Sequence, residues 1–293
     1  MPLCRFQLHA TGSEIVRLGW VDLEHERVFE LSASLAQLLN LDSGARMQRL
    51  GELRRSAVAT FPLRSVVMRA PVDEQEVWAA GVTYERSRDA RMEESSSAGA
   101  PEDLYARVYD AARPEIFFKS AGWRCVGDGQ PVGIRADSTW DVPEPELTVV
   151  VDAGGEIVGY TVGNDVSSRS IEGENALYLP QAKTYHASCA LGPWIMLREE
   201  LADVSNLEIS MEIERNGVQV WEGAISTARM HRKLDELVAY VYRALLFPSG
   251  ALLMTGTGLV PPSDFTLQSG DQVTIEIEGI GKLTNQALRL ESR

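Results

Sequence analysis

Glu144-Pro145-Glu146 is where residue type and spacing point most directly to chemistry. Residues two apart on a β-strand share a face, so the two carboxylates project together. The β-type run from 147 to 151 follows, then Gly154-Gly155, then a second run from 157 to 162. Gly-Gly between two such runs predicts a two-residue hairpin turn. With that turn Ala153 faces Glu156, and paired residue numbers add to 309. Glu144 then faces Asp165, and Glu146 faces Gly163. Three carboxylates converge beside a residue with no side chain, and like charges so placed repel unless a cation lies between them. An all-oxygen, carboxylate-rich set favours Mg²⁺, Mn²⁺ or Ca²⁺ over zinc and leaves positions for water or substrate. A loop one residue longer would turn Asp165 to the other face and leave solvated charges at strand ends.

The elements that must position these residues are mostly strands. From Pro114 onward, β-type runs at 116–119, 147–151, 157–162, 207–215, 218–225, 272–277 and 280–290 alternate with Gly and Pro turns. One helix interrupts them over 233–246, with Leu234, Leu237, Val238, Val241 and Leu245 on one face. The pattern predicts an α+β, mainly β catalytic domain over 72–293 rather than alternating βαβ units. Residues 1–71 predict a small α+β N-terminal domain, with strands over 14–21 and 27–31 and helices over 35–41 and 45–56. No chemical cluster falls there, which suits a lid or a dimerisation unit. The charged stretch 85–94 and Ser95-Ser96-Ser97-Ala98-Gly99-Ala100-Pro101 suit either an active-site cover or a plain surface loop, and Glu102-Asp103 opens a helix beyond them.

Composition removes several function classes. The chain has 293 residues, 44% hydrophobic and 24% charged, which fits a folded globular protein and excludes collagen, coiled coil and disorder. A net charge of −14 disfavours nucleic acid and anionic membrane as partners. No apolar run approaches the roughly 20 residues of a membrane helix, and Met1-Pro2-Leu3-Cys4-Arg5 lacks a signal-peptide pattern. Cys4, Cys125 and Cys189 are odd in number and far apart, so a reducing cytoplasm is expected rather than a disulfide framework.

At these residues the sequence resembles the fumarylacetoacetate hydrolase superfamily. The resemblance covers residues 72–293 and rests on Pro114-Glu115-Ile116-Phe117-Phe118-Lys119, Glu144-Pro145-Glu146-Leu147, the 159–169 segment Gly-Tyr-Thr-Val-Gly-Asn-Asp-Val-Ser-Ser-Arg, Lys183, Leu191-Gly192-Pro193-Trp194, Thr255-Gly256-Thr257-Gly258 and Gly270-Asp271. It implies a mixed β-roll, usually assembled as a homodimer or homotetramer. It also implies Mg²⁺, with Mn²⁺ the alternative, held by Glu144, Glu146 and Asp165, with Lys183 near the metal and Thr257 touching substrate. Within the family, Arg113 to Ser120 and Ser167 to Asn175 are most similar to the 2-keto-3-deoxy-pentonate (D-arabinonate or D-xylonate) dehydratases, which form 2,5-dioxopentanoate. That branch implies a small 2-keto sugar acid as substrate and a metal-stabilised enolate. The hydrolases usually carry a His three residues after the Tyr of the cover segment; here, counted from Tyr84, that position is Ser87. A hydrolase or decarboxylase acting on an acylpyruvate or oxaloacetate is the alternative, and the missing His weighs against it. For the dehydratase, Lys183, Glu115 and Glu172 are the candidates for proton transfer, and Lys183, Thr257, Lys119 and Ser87 for substrate binding. Which of Lys183, Glu115 and Glu172 is acid and which base stays open.

Overall fold

Leu147-Thr148-Val149-Val150-Val151 carries no charge, so neither of its faces suits water. In the computed structural model, which describes residues 1–9, 15–85, 103–201 and 203–291, this strand is buried on both sides. The elements in chain order are β1 (Leu3–Leu8), β2 (Arg17–Asp22), β3 (Arg27–Leu31), α1 (Leu35–Leu39), α2 (Ser43–Arg55), β4 (Thr60–Pro62), β5 (Val66–Arg69) and β6 (Glu76–Gly81). There follow α3 (Asp103–Asp110), β7 (Glu115–Ala121), β8 (Val132–Ile134), β9 (Asp141–Val142), β10 (Pro145–Val151), β11 (Ile157–Asp165) and β12 (Ser167–Ser168). The chain ends with α4 (Arg169–Glu174), α5 (Leu179–Lys183), β13 (Cys189–Leu197), β14 (Glu208–Arg215), β15 (Val218–Ser226), α6 (Leu234–Val241), β16 (Ala251–Met254), β17 (Gln272–Ile277) and β18 (Gly281–Arg289). The mainly-β expectation therefore holds.

Eleven strands form one sheet, in the order β4-β3-β2-β1-β13-β11-β10-β16-β6-β7 with β5 also on β1. A five-stranded sheet, β15-β14-β17-β18-β8, packs against it. The two faces of β10 enter different cores. Leu147, Val149 and Val151 meet Ile209, Met211 and Ile213 of β14, Ile275 of β17 and Leu237 of α6. Val150 instead joins Leu252 and the leucines of α1 and α2. Central strands covered on both sides are stiff platforms, and the metal candidates sit at the end of this one. The helix expected over 233–246 stops at Val241, ahead of Phe247-Pro248, which turns the chain away.

The hairpin departs from expectation at its tip and agrees beyond it. Pro145↔Asn164 through Val150↔Gly159 all pair with residue numbers adding to 309, but Val151 pairs with Ile157. The turn is five residues, Asp152 to Glu156, closed by the Asp152 N–H on the Glu156 carbonyl at 3.0 Å. Asp152 Oδ1 accepts the N–H groups of Gly154 (2.9 Å) and Glu156 (3.0 Å), and Gly155 takes φ +86°, which favours glycine. An extra residue, Val158, then bulges from β11 and restores the register. The two-residue turn is thus corrected, while the pairing of Glu146 with Gly163 stands.

The N-terminal strands continue the large sheet, because β1 pairs with β13 at Leu3↔Ile195. The boundary at residue 71 falls between β5 and β6. The same segment reaches the hairpin tip: Arg46, buried, lies 2.7 Å from the buried Asp152, and the Ala153 N–H donates to the Leu39 carbonyl at 2.8 Å. The cover segment expected over 85–101 lies, but for Glu85, outside the described residues.

Candidate active site

Glu144 precedes β10, Glu146 is its second residue and Asp165 ends β11. The Asp165 N–H donates to the Glu144 carbonyl at 2.9 Å, extending the ladder by one step and holding the two side chains together. One carboxylate oxygen from each of Glu144, Glu146 and Asp165 lies within 4.8 Å of the others. All three residues are buried. The sequence-derived triad is therefore brought together.

Three buried cations face it. Lys183, at the C-terminal end of α5, places Nζ 2.7 Å from Glu144 Oε2, 3.3 Å from Asp165 Oδ2 and 2.6 Å from Ser167 Oγ. Arg169 donates to Glu144 Oε1 at 2.5 Å, and its other amino group lies 4.0 Å from Glu172. Lys119 Nζ makes an ion pair with Asp165 Oδ1 at 2.5 Å. Glu146 has no cationic partner among the described residues; its Oε2 accepts the Gly256 N–H at 2.7 Å. Burial, then the charges of Asp165 and Glu144, push its carboxyl well above the usual carboxylate range. Glu146 is thus the carboxylate of the triad that most lacks a positive neighbour among the described residues. The donor set, all oxygen and short of positive charge, fits Mg²⁺ or Mn²⁺.

Ala80, Gly81, Val82, Phe117, Gly256 and Thr257 complete the cavity. Val82 sits at φ +53°, a costly conformation for a β-branched residue, and such strain gathers at functional sites. Gly256 has φ +92°, and a Cβ there would lie 2.0 Å from Thr83 Oγ1. The buried Thr257 bonds Leu259 through its hydroxyl, at 3.2 Å to both carbonyl and N–H. Glu115 and Glu172 line an adjoining cavity with Val108, Arg113, Ala176 and Leu179. Glu115 folds over Gly81, where a Cβ would lie 2.1 Å from its Oε2. Lys119 is at the site but points its ammonium at protein oxygens. Ser87 lies outside the described residues. None of His9, His25, His186 and His231 lines either cavity. Arg169 and Ser167 have no role in the sequence reading; the signal was present in Arg169 standing four residues after Asp165.

The family model described as fumarylacetoacetate (FAA) hydrolase C-terminal matches residues 78–287. The chain belongs to the fumarylacetoacetate hydrolase family. Among curated family members, a probable 2-keto-3-deoxyxylonate dehydratase of Haloferax volcanii is 56% identical over 215 residues, 73% of each chain. A 2-dehydro-3-deoxy-D-arabinonate dehydratase of Saccharolobus solfataricus is 43% identical over 229 residues, 78% of this chain and 77% of that one. A solved structure of 2-keto-3-deoxy-D-arabinonate dehydratase complexed with magnesium and 2,5-dioxopentanoate superposes with TM-score 0.82 and 33% identity over 100% of both chains. The β-roll expected of a fumarylacetoacetate hydrolase family member is thus the observed fold.

Proposed function

We propose that this chain is a Mg²⁺-dependent dehydratase that converts a 2-keto-3-deoxy-pentonate to 2,5-dioxopentanoate and water. The observation that carries this reading is the full-length match to a dehydratase complexed with magnesium and that product, coinciding with the buried triad. Glu144, Glu146 and Asp165 would hold the cation. Bound there, it supplies the Lewis acidity that draws electrons toward a 2-keto oxygen and acidifies the neighbouring C3–H.

The chain's own residues do the rest. Lys183, charged and beside the triad, binds and orients the anionic keto-acid end. Thr257 and, beyond the described residues, Ser87 contact substrate. Glu115 and Glu172 line the adjoining cavity, where C3 to C5 of a chain anchored at the triad extends. One carboxylate takes a C3 proton and the other carboxyl gives a proton to the C4 hydroxyl, which leaves as water. The C3=C4 double bond then moves to C4=C5 as a proton passes from C5 to C3, and the resulting enol ketonises to the aldehyde. The narrow cavity walls keep bulk water from the triad. Residues 1–71 act as a brace for the hairpin that carries the ligands, and the protein works as a homodimer or homotetramer in the cytoplasm. No helix among the described residues is long and apolar enough to cross a membrane.

The test is a semialdehyde assay on metal-stripped protein with each C4 epimer of the substrate. Product is expected only with Mg²⁺ or Mn²⁺. Glu144→Gln should lower turnover by more than the roughly 10–100-fold that loss of an outer partner costs. No product from either epimer by protein that still binds metal would overturn the reading and move attention to acylpyruvates or oxaloacetate.

A further inference from the structure

We infer that Lys119 is a positioning residue, which ties the metal-binding carboxylate of Asp165 to the backbone of Lys183 and does not hold substrate. The inference rests on the metal-dependent reading above. It replaces the role of Lys119 as a substrate contact.

Lys119 occupies an irregular place in β7. Ser120 pairs with Val77 and Phe118 with Trp78, so Lys119 is the unopposed residue of a β-bulge. Bulges beside active sites re-aim a side chain that a regular strand would point elsewhere. Here the bulge sends a lysine into the protein, where the residue is 0% exposed. A buried ammonium persists only if its protons meet acceptors and its charge meets a counter-charge. Both conditions are met by protein atoms. Nζ donates to the Lys183 carbonyl at 2.6 Å and the Val166 carbonyl at 3.1 Å, and pairs with Asp165 Oδ1 at 2.5 Å. Two of its three protons go to these carbonyls, and the Asp165 carboxylate supplies the counter-charge. The Tyr185 ring lies 5.9 Å from Nζ, and the Tyr185 hydroxyl donates to the Val166 carbonyl at 3.3 Å. Phe117 lines the cavity, whereas Lys119 does not.

The three oxygens belong to parts of the chain that must agree in position. Asp165 and Val166 end the metal-bearing hairpin. The Lys183 carbonyl ends the helix whose last side chain reaches Glu144 and Asp165 from the other side. The Ser188 hydroxyl donates to that same carbonyl at 2.8 Å. Lys119 therefore fixes one metal ligand and the root of the cationic side chain beside it with a single group.

Two roles predict opposite signs for metal binding. A cation that only adds positive charge near a metal site weakens binding, so its removal tightens it. A cation that holds a ligand in place strengthens binding, so its removal loosens it, by about 10–100-fold for partners of this kind. Mn²⁺ affinity should be measured by electron paramagnetic resonance, without substrate, in wild type and in Lys119→Met and Lys119→Arg. The expected result is a loss of about 10–100-fold in both variants, with kcat reduced and KM at saturating Mn²⁺ within about threefold. Wild-type-like or tighter Mn²⁺ binding with a KM raised more than tenfold overturns the inference and makes Lys119 a substrate contact. Wild-type protein that binds no Mn²⁺ overturns the metal reading and this inference with it. Where the variants do not fold, the lysine Nζ resonances of ¹⁵N-labelled wild type decide. Adding pyruvate, an unreactive 2-keto acid, to metal-loaded protein should shift Lys183 and leave Lys119 in place; a shift of Lys119 overturns the inference.

Discussion

Replacing Arg46 with methionine should unfasten the N-terminal segment from the metal-bearing hairpin without touching the metal site. Arg46 and Asp152 pair at 2.7 Å, with side chains 5% and 3% exposed. Removing one partner of a buried pair costs about 3–5 kcal/mol, because the other charge is left stranded. Asp152 is not wholly stranded, since it keeps the N–H groups of Gly154 and Glu156 on Oδ1. Arg46 also gives up its bond to the Leu41 carbonyl. These considerations place the loss near the lower figure, about 3 kcal/mol, which is about 5 °C in Tm for a chain of 293 residues. Pairing Arg46→Met with Asp152→Asn should restore part of it, since the uncompensated charge is gone. The distance from the turn to the ligands is six residues of β10, about 20 Å at 3.4 Å per residue. Mn²⁺ affinity should therefore stay within about twofold. The assay is urea unfolding of both single variants and the double variant, read as a cycle, with Mn²⁺ titration of each folded protein. A coupling below about 0.5 kcal/mol would refute the argument that this pair braces the hairpin. A tenfold fall in Mn²⁺ affinity would refute the claim that the brace and the metal site are separate.

Two further outcomes follow from the geometry. Gly256→Ala puts a Cβ 2.0 Å from Thr83 Oγ1 at a φ of +92° and displaces the N–H that Glu146 accepts; calorimetry should show Mn²⁺ binding weakened about tenfold or more, partly recovered by adding Thr83→Ala. Burial raises the carboxyl of Asp141 to about 6 from 3.8, so the folded protein keeps a proton there that the unfolded chain has released. The group favours folding at low pH, and that contribution is lost as pH rises from about 4 to about 6; it amounts to at most about 3 kcal/mol. Relative to Asp141→Asn, wild type should lose stability across that window and hold a constant difference above it, as followed by unfolding at each pH; a flat difference from pH 4 to 7 would contradict the burial argument.

What the sequence disclosed was what depends on local geometry. Glu144, Glu146 and Asp165 belong to one hairpin, and strand parity places them together without any knowledge of the rest of the fold. The strands that escaped notice have non-local reasons to exist. β13 contains Pro193, which cannot donate to a ladder, yet β11 and β1 hold the strand in the sheet centre. β16 has four residues and becomes a strand through partners far along the chain, β10 and β6. The same limit applies inside the site. Lys119 reads as a free anion contact because the residues that occupy its ammonium, Val166 and Lys183, stand 47 and 64 positions away. Arg169 has no role in the sequence reading because its carboxylate, Glu144, is 25 residues upstream.

The bulge at Val158 has a consequence for how this hairpin tolerates change. Remove one glycine from Gly154-Gly155, and the chain can straighten β11 by passing Ile157 into the turn. The turn again has five residues, Val151 then faces Val158, and every pair from Val150↔Gly159 onward keeps its partner. The bulge is thus a spare residue stored next to the tip, a one-step slack that lets the turn lose a residue while the carboxylates at the far end stay in register.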